Sequence, residues 1–496
     1  MPNSAIIFSG VRTRFAPSPT GFMHVGNLRT ALYEYLLAKS MGGSFVLRIE
    51  DTDRERLVEG ATDTIFQTLK CAGLIHDEGP DIGGPCGPYV QSERMHLYRP
   101  YAEQLVREGK AYYCFCTKER LDQLRLSSDN PDSAGYDRHC RTLSDDLVAE
   151  QLALNMPHVI RQKVPLEGVT TFFDHVYGEI SVPNKDLEDQ VLIKADGFPT
   201  YNFANIVDDH LMGITHVVRG SEYLSSTPKY NLLYQAFGWN IPEYVHLPLI
   251  QGKNPDGTVS KLSKRHGATG FEDLVAEGYL PEAIINYIAL LGWCPKDNTQ
   301  EVFSLEELVR AFSIDGISKS PATFDYDKLD WFNSEYIRAM DARAFYEHAA
   351  PYYRQLGVDE ALSATLLEVL QPRITKFIEI PEKISYVKAL PEYDLSLFEH
   401  KKSKSTIETS ISMLGKLTDL LSDISEWNKD SLMSRLTALA ESEGVKNALV
   451  MWPLRIAVTG TLVTPGGAVE ALLLIGQKES LNRIEIARAR LSIFNN

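Results

Sequence analysis

Residues 11–56, VRTRFAPSPTGFMHVGNLRTALYEYLLAKSMGGSFVLRIEDTDRER, constrain this chain more than any other stretch. Residues 11–16 have the composition of a short strand, and the Pro17-Ser18-Pro19-Thr20-Gly21 run stops it. Beyond Gly26-Asn27, apolar residues recur at Leu28, Ala31, Leu32, Tyr35 and Leu36. That spacing predicts a helix, which Gly42-Gly43 would end. Residues 45–49 form a second apolar run, followed at once by Glu50-Asp51-Thr52-Asp53. Strand, loop, helix, strand in this order predicts a parallel βαβ element. The loop sets His24 and Gly26 just before the helix N-terminus, where unpaired N–H groups and the dipole favour phosphate. Alone, His24-Val25-Gly26 is equally well a capped helix with a loop histidine.

A second stretch adds weight to the phosphate reading. Val259-Ser260-Lys261-Leu262-Ser263-Lys264-Arg265 lies between Gly257 and Gly267, so three cations share a glycine-flanked loop with small hydroxyl residues. Such a loop suits charge developing on a polyphosphate, although by itself it is also a solvated basic loop. Together, His24-Val25-Gly26-Asn27 and Lys261-Leu262-Ser263-Lys264-Arg265 resemble the paired "HIGH" and "KMSKS" boxes of class I aminoacyl-tRNA synthetases. The Arg-x-Ala-Pro-Ser-Pro-Thr-Gly form of residues 14–21 is similar to the bacterial glutamyl-tRNA synthetase family within that class. The resemblance runs from about residue 11 to the C-terminus. A glutaminyl enzyme would carry Pro-Glu-Pro-Asn-Gly where Pro17-Ser18-Pro19-Thr20-Gly21 stands, and the queuosine-modifying relatives lack a helical C-terminal half.

At 496 residues the chain exceeds one hydrophobic core and predicts three to five units. A net charge of −16 does not advertise nucleic-acid binding, but contact depends on local patches rather than on the sum. Six scattered cysteines are too sparse for a disulfide framework. The N-terminus lacks a signal peptide's pattern, and the most apolar helical stretch, residues 284–293, is too short for a bilayer. A cytoplasmic monomer is the expectation.

The resemblance implies a multidomain α/β chain. A Rossmann-like parallel-sheet catalytic domain, residues 1–96 and 201–251, is split by an acceptor-stem-binding α/β insertion at 97–200. Residues 252–336 carry the lysine loop and a helical stem-contact module, and helical anticodon-binding domains follow at 337–395 and 396–496. Strands are expected at 158–164, 191–194, 215–219 and 246–250, with 205–209 a helix-entry segment. Gln91-Ser92-Glu93-Arg94 matches a family segment before a helix reaching about residue 109. Ile407, Ile411, Leu414, Leu417, Leu421 and Ile424 keep a 3.6-residue period and read as core, as do Leu432, Leu436 and Leu439. Residues 391–405, with Lys401, Lys402 and Lys404, read as an exposed connector.

Within the insertion, Cys114-Phe115-Cys116 needs a distant pair to complete a tetrahedral metal site. Many bacterial relatives finish theirs with Cys-x-His, but Thr142 stands at the histidine position here. Tyr136-x3-Cys140 resembles the tyrosine–cysteine pairing of the queuosine-modifying relatives. The resemblance therefore implies one structural zinc ion on Cys114, Cys116, Tyr136 and Cys140, with His139 as the rival fourth ligand and metal-free thiols as the plain alternative.

For the reaction, the resemblance implies that ATP activates glutamate and that the acyl group passes to tRNA-Glu. His24, Gly26, Lys261 and Lys264 would act on the phosphates, with magnesium bridging them. Ala16, Glu222 and Leu249 would neighbour ATP. Glu50 would take the substrate ammonium, and Arg14 and Arg219 its carboxylates, with Ser18, Tyr201 and Asn205 lining the site. Arg373 aligns with an arginine that reads the third anticodon base, though an exposed helix arginine fits as well.

Overall fold

The computed structural model describes residues 8–52, 57–127, 136–296 and 299–494; the side chain of Lys264 lies outside the described set. The chain forms two compact units, Met1–Ala276 with Ile284–Tyr326 and Glu277–Ala283 with Asp327–Asn496.

The first unit opens with strand β1 (Arg12–Phe15), helix α1 (Val25–Ser40) and strand β2 (Ser44–Leu47). β2 runs parallel to β1 with Arg12 opposite Ser44, so the predicted βαβ element is present. Ten of the sixteen residues of α1 are buried, Leu28, Leu32 and Leu36 completely, so it is enclosed rather than surface-facing. Each such leucine contributes about 1.5–3 kcal/mol, which makes α1 the anchor of the unit. Gly42 adopts the left-handed φ of +64° that ends the helix. A Cβ on Gly43 would strike the Val11 carbonyl, so only glycine lets the chain turn this tightly into β2.

Helices α2 (Ala61–Cys71) and α3 (Met95–Arg107) come next. Strand β3 (Ala111–Cys114) and helices α4 (Lys118–Leu126) and α5 (Asp145–Ala153) lead to β4 (Val159–Gln162), β5 (Val169–Asp174), β6 (Gly178–Pro183) and β7 (Val191–Ile193). β3, β4 and β7 form a small antiparallel sheet. Then follow α6 (Tyr201–Leu211), β8 (His216–Gly220), α7 (Thr227–Phe237) and β9 (Glu243–Leu247). β8 and β9 pair in parallel, and β5 joins β9 at Asp174 opposite Tyr244, giving the order β6-β5-β9-β8. The Thr215 N–H donates to the Arg12 carbonyl at 3.0 Å, tying β1 to the entry of β8.

The β5–β6 hairpin was not expected from the sequence. Its buried positions are Thr170, Phe172 and Asp174 while Val169 and Phe173 face out, so no apolar alternation announces it. A second departure is residues 205–209, which sit in the body of α6 rather than at a helix entry. β10 (Ile250–Lys253) and β11 (Val259–Lys261) form a hairpin with Gln251 opposite Lys261, and β12 (Ala322–Thr323) lies parallel to β10.

The regular elements described in the second unit are all helices, and the stripe from Ile407 through Leu414, Leu417 and Leu421 to Ile424 is buried as core. Residues 391–405 differ from an exposed connector. Tyr393 and Phe398 are buried, the Trp452 indole N–H donates to the Leu397 carbonyl, and His400 stacks on Trp452 with ring centroids 3.7 Å apart. Lys401, Lys402 and Lys404 remain exposed on this anchored loop. No helix among the described residues is long and apolar enough to cross a membrane.

Candidate active site

A cleft of about 560 Å³ opens where β1, α1, β8 and the β10–β11 hairpin converge. Arg14, Ala16, Ser18, His24, Gly26, Tyr201, Arg219, Glu222, Leu249 and Lys261 all line it. The two sequence boxes, far apart in the chain, thus face one space.

His24 is the N-cap of α1, its Nδ1 accepting the Gly26 N–H at 3.0 Å. Nδ1 is therefore unprotonated, and burial followed by the charge of Lys261 lowers the pKa of the ring. The Gly26 N–H is consequently engaged by the imidazole rather than open to phosphate. Its missing side chain still matters: a Cβ there would touch only the His24 ring and otherwise fill open space. Lys261 is exposed at the end of β11. His266 shapes the loop beyond it, its Nδ1 accepting the Ser263 N–H at 3.1 Å. At Gly220 a Cβ would collide with the Glu222 carboxylate, so glycine allows that carboxylate to fold back against the strand end.

Beneath the cleft lies a buried charge cluster. Arg14 Nε donates to Asp209 Oδ1 at 3.0 Å and its Nη1 to Glu34 Oε1 at 3.1 Å. Arg48 donates to Asp209 at 2.7 Å and to Glu50 Oε1 at 2.9 Å. Arg94 donates to Asp208 Oδ1 at 2.6 Å, and Gln91 Nε2 to Asp208 Oδ2 at 3.0 Å. Burial alone would lower the Arg14 pKa, but Asp209 and Glu34 more than offset it and hold the guanidinium charged. Burial raises Glu34 well above the usual carboxylate range and pushes Glu50 up to about 7, Arg48 opposing both shifts. Asp209 moves the other way, since Arg14 and Arg48 outweigh its desolvation.

Three atoms in and beside this cluster lack a protein partner among the described residues: the acceptors Oε2 of Glu34 and Oε2 of Glu50, and the donor Nδ2 of Asn205. Glu34 is 1 % exposed, and Glu50 and Asn205 are each 3 % exposed. A buried acceptor and a buried donor each left open normally cost about 1–3 kcal/mol, which a ligand with an ammonium and a carboxylate would recover. Tyr201 lines the cleft and is open to solvent as a residue; the protein packed around its phenol and then the Glu50 charge raise its pKa, and Arg219 opposes them. Glu34, Arg48, Asp208 and Asp209 belong to no motif in the sequence; the adjacent Asp208-Asp209 on a helix is the one signal it offers for them.

Cys114, Cys116 and Cys140 place their sulfurs within 4.8 Å of one another. The Tyr136 hydroxyl stands 3.3 Å from Cys114 Sγ and 3.7 Å from Cys116 Sγ, so four donors converge. His139 is exposed and does not join the cluster. The Cys140 hydrogen bond lowers the Cys114 pKa and raises that of Cys140, and Arg120 Nη1 lies 3.5 Å from Cys116 Sγ. Three converging sulfurs and a phenol oxygen, with Cys114 alone drawn toward its thiolate, form a donor set of the kind zinc takes. In the second unit, Arg373 is exposed and donates to the Val369 carbonyl at 3.0 Å, capping the helix Ser363–Leu370.

Residues 10–331 match the family described as tRNA synthetases class I (E and Q), catalytic domain, and residues 344–488 match an anticodon binding domain. The chain is 55% identical to a glutamate–tRNA ligase of Clostridium novyi over 97% of its length and 98% of that protein. It is 53% identical to the Clostridium tetani glutamate–tRNA ligase at the same coverage. A crystal structure of a glutamate tRNA ligase from Elizabethkingia meningosepticum, in complex with its amino acid, superposes with a TM-score of 0.88 at 37% identity, covering 97% of this chain and 99% of that one. The glutamate-tRNA synthetase structure from Elizabethkingia anophelis gives 0.87 at 36%, covering 97% and 100%. On the βαβ cleft, the two boxes and this near-full-length similarity, the chain belongs to the class I tRNA synthetases, in the glutamate–tRNA ligase family.

Proposed function

We propose that this chain activates L-glutamate with ATP, releasing pyrophosphate, and transfers the glutamyl group to the terminal adenosine of tRNA-Glu. The observation that carries the reading is that Arg14 and Arg219 line the cleft shared by both boxes, while Glu50 Oε2 and Asn205 Nδ2, outside that lining, are buried without a partner among the described residues. Activation needs little covalent help, because the attacking carboxylate is already ionised; positioning and charge neutralisation do the rest. His24 and Lys261 hold the phosphates, Gly26 leaves room for them, and Lys264 swings in on its loop. Magnesium arrives bound to ATP as part of the substrate. Ala16, Glu222 and Leu249 border the nucleotide.

Glu50 receives the substrate ammonium, and Arg219 and Arg14 its carboxylates, with Ser18, Tyr201 and Asn205 as lining. Glutamine would leave a desolvated guanidinium without its anion, so rejection of roughly 10⁴-fold is expected from complementarity alone. Pyrophosphate exchange and aminoacylation with purified tRNA-Glu and tRNA-Gln test the assignment. Exchange driven equally by glutamine would refute it.

Burial holds the Glu50 carboxyl near 7, and only its ionised form attracts an ammonium. The glutamate KM should therefore rise as pH falls through 7 and flatten above it, whereas Glu50→Gln should be weak and pH-independent. A flat profile in the parent enzyme would remove Glu50 from this role.

Residues 97–200 hold the acceptor stem, 252–336 contact the stem, and 337–395 and 396–496 meet the anticodon, where Arg373 reads its third base. The enzyme works as a monomer in the cytoplasm. One zinc ion on Cys114, Cys116, Tyr136 and Cys140 braces the insertion, outside the reaction. Elemental analysis of the purified chain should give about one zinc per chain, lost in Cys140→Ser together with thermal stability. A content far below that in the parent chain ends the zinc reading.

A further inference from the structure

The tip of β5 reaches back into the cleft wall through a chain of buried hydrogen bonds. Asp174 and His246 are 0 % exposed. Asp174 Oδ1 accepts the N–H groups of Val176 at 2.9 Å and Tyr177 at 2.8 Å. Its Oδ2 accepts the His246 N–H at 3.0 Å and lies 2.6 Å from the ring Nδ1. On the far side of the ring, Arg219 Nε donates to His246 Nε2 at 3.1 Å, and Arg219 Nη2 to Thr227 Oγ1 at 2.7 Å. Thr227 Oγ1 donates to the Tyr223 carbonyl at 2.9 Å and also lies 3.2 Å from His246 Nε2.

These partners fix the tautomer. An arginine only donates and an ionised carboxylate only accepts, so the imidazole between them must be neutral, with its proton on Nδ1. Burial acts in the same direction, lowering the pKa of the ring against the pull of Asp174. A proton on Nε2 would face the Arg219 N–H directly. Arg219 is thereby held by Nε and Nη2 among the rings of Tyr223, Tyr230 and Tyr244, while no described residue takes its Nη1.

We propose that His246, oriented by Asp174, is a positioning residue that aims the Arg219 guanidinium at the glutamate carboxylate. It touches neither substrate nor ATP. The proposal rests on the reading of Arg219 as a glutamate ligand and extends it to two residues that no sequence motif marked. Asp174 comes from the hairpin of the inserted stretch, so that stretch contributes to amino-acid recognition through His246 and Arg219.

Pyrophosphate exchange by the full chain with its tRNA tests this. His246→Asn keeps a donor for Asp174 but withdraws the acceptor from Arg219, leaving a buried N–H unpaired. The glutamate KM should rise about ten-fold or more, with the ATP KM within about two-fold of the parent. His246→Gln, whose carbonyl can stand near the former Nε2, should recover most of the loss. Equal rises for both substrates, or no advantage of glutamine over asparagine, would reduce His246 to packing and overturn the proposal. Arg219→Ala, measured alongside, separates the layers. An unchanged glutamate KM there removes Arg219 from the substrate and the relay with it; a raised one beside an unaltered His246→Asn overturns the relay alone. Ring ¹⁵N shifts of the parent protein give a readout independent of variant folding: Nδ1 protonated and Nε2 bare agree with the proposal, and the opposite tautomer defeats it.

Discussion

Arg219→Ala is expected to lower kcat/KM for glutamate by about 30-fold to several thousand-fold, the consequence of about 2–5 kcal/mol lost when one member of a buried charge pair is truncated. Arg219 is 7 % exposed and two of its guanidinium nitrogens are already committed to His246 and Thr227. Its remaining face has little else to do than meet an anion. The loss should fall on glutamate and spare ATP, because nothing in the proposed nucleotide contacts depends on this side chain. Arg219→Lys should recover little, since a point charge cannot hold the imidazole, the threonine and a carboxylate together. Near-parental glutamate kinetics in Arg219→Ala would remove the residue from the substrate.

Lys264→Ala should slow glutamate-dependent pyrophosphate exchange by roughly 10²–10³-fold, or about 2.7–4 kcal/mol, as for loss of one preorganised donor to a developing charge. The effect should appear in kcat more than in KM, because the lysine is needed when negative charge shifts onto the departing pyrophosphate. Lys261→Ala should be milder, since that lysine sits at the fixed end of β11 and is exposed. Exchange by Lys264→Ala close to the parental rate would break the reading of the lysine loop.

Much of this was legible in the sequence because it is written in contiguous runs. The βαβ unit follows from residues 11–56, and the cleft-lining Arg14, Ser18, His24 and Lys261 all belong to recognisable segments. The charge cluster was not legible. Glu34 and Asp209 are ordinary charged residues on helices and Arg48 lies just past the end of β2, and only the fold brings them together in the interior. Asp174 and His246 were hidden for the same reason, lying 72 residues apart. The β5–β6 hairpin escaped because its inward face carries a threonine and an aspartate where a strand pattern would show aliphatics. Residues 391–405 were misread because three lysines dominate a segment whose two buried aromatics fix it.

β5 and β6 lie inside residues 97–200, yet their sheet partner is β9. The intervening stretch is therefore no detachable cassette. Splicing it out to make a minimal enzyme would peel two strands from the sheet beside β9 and strip the carboxylate that seats His246. A lineage that shed it would have had to keep the hairpin or build a new edge, and any shortened version engineered today must start by sparing residues 169–183.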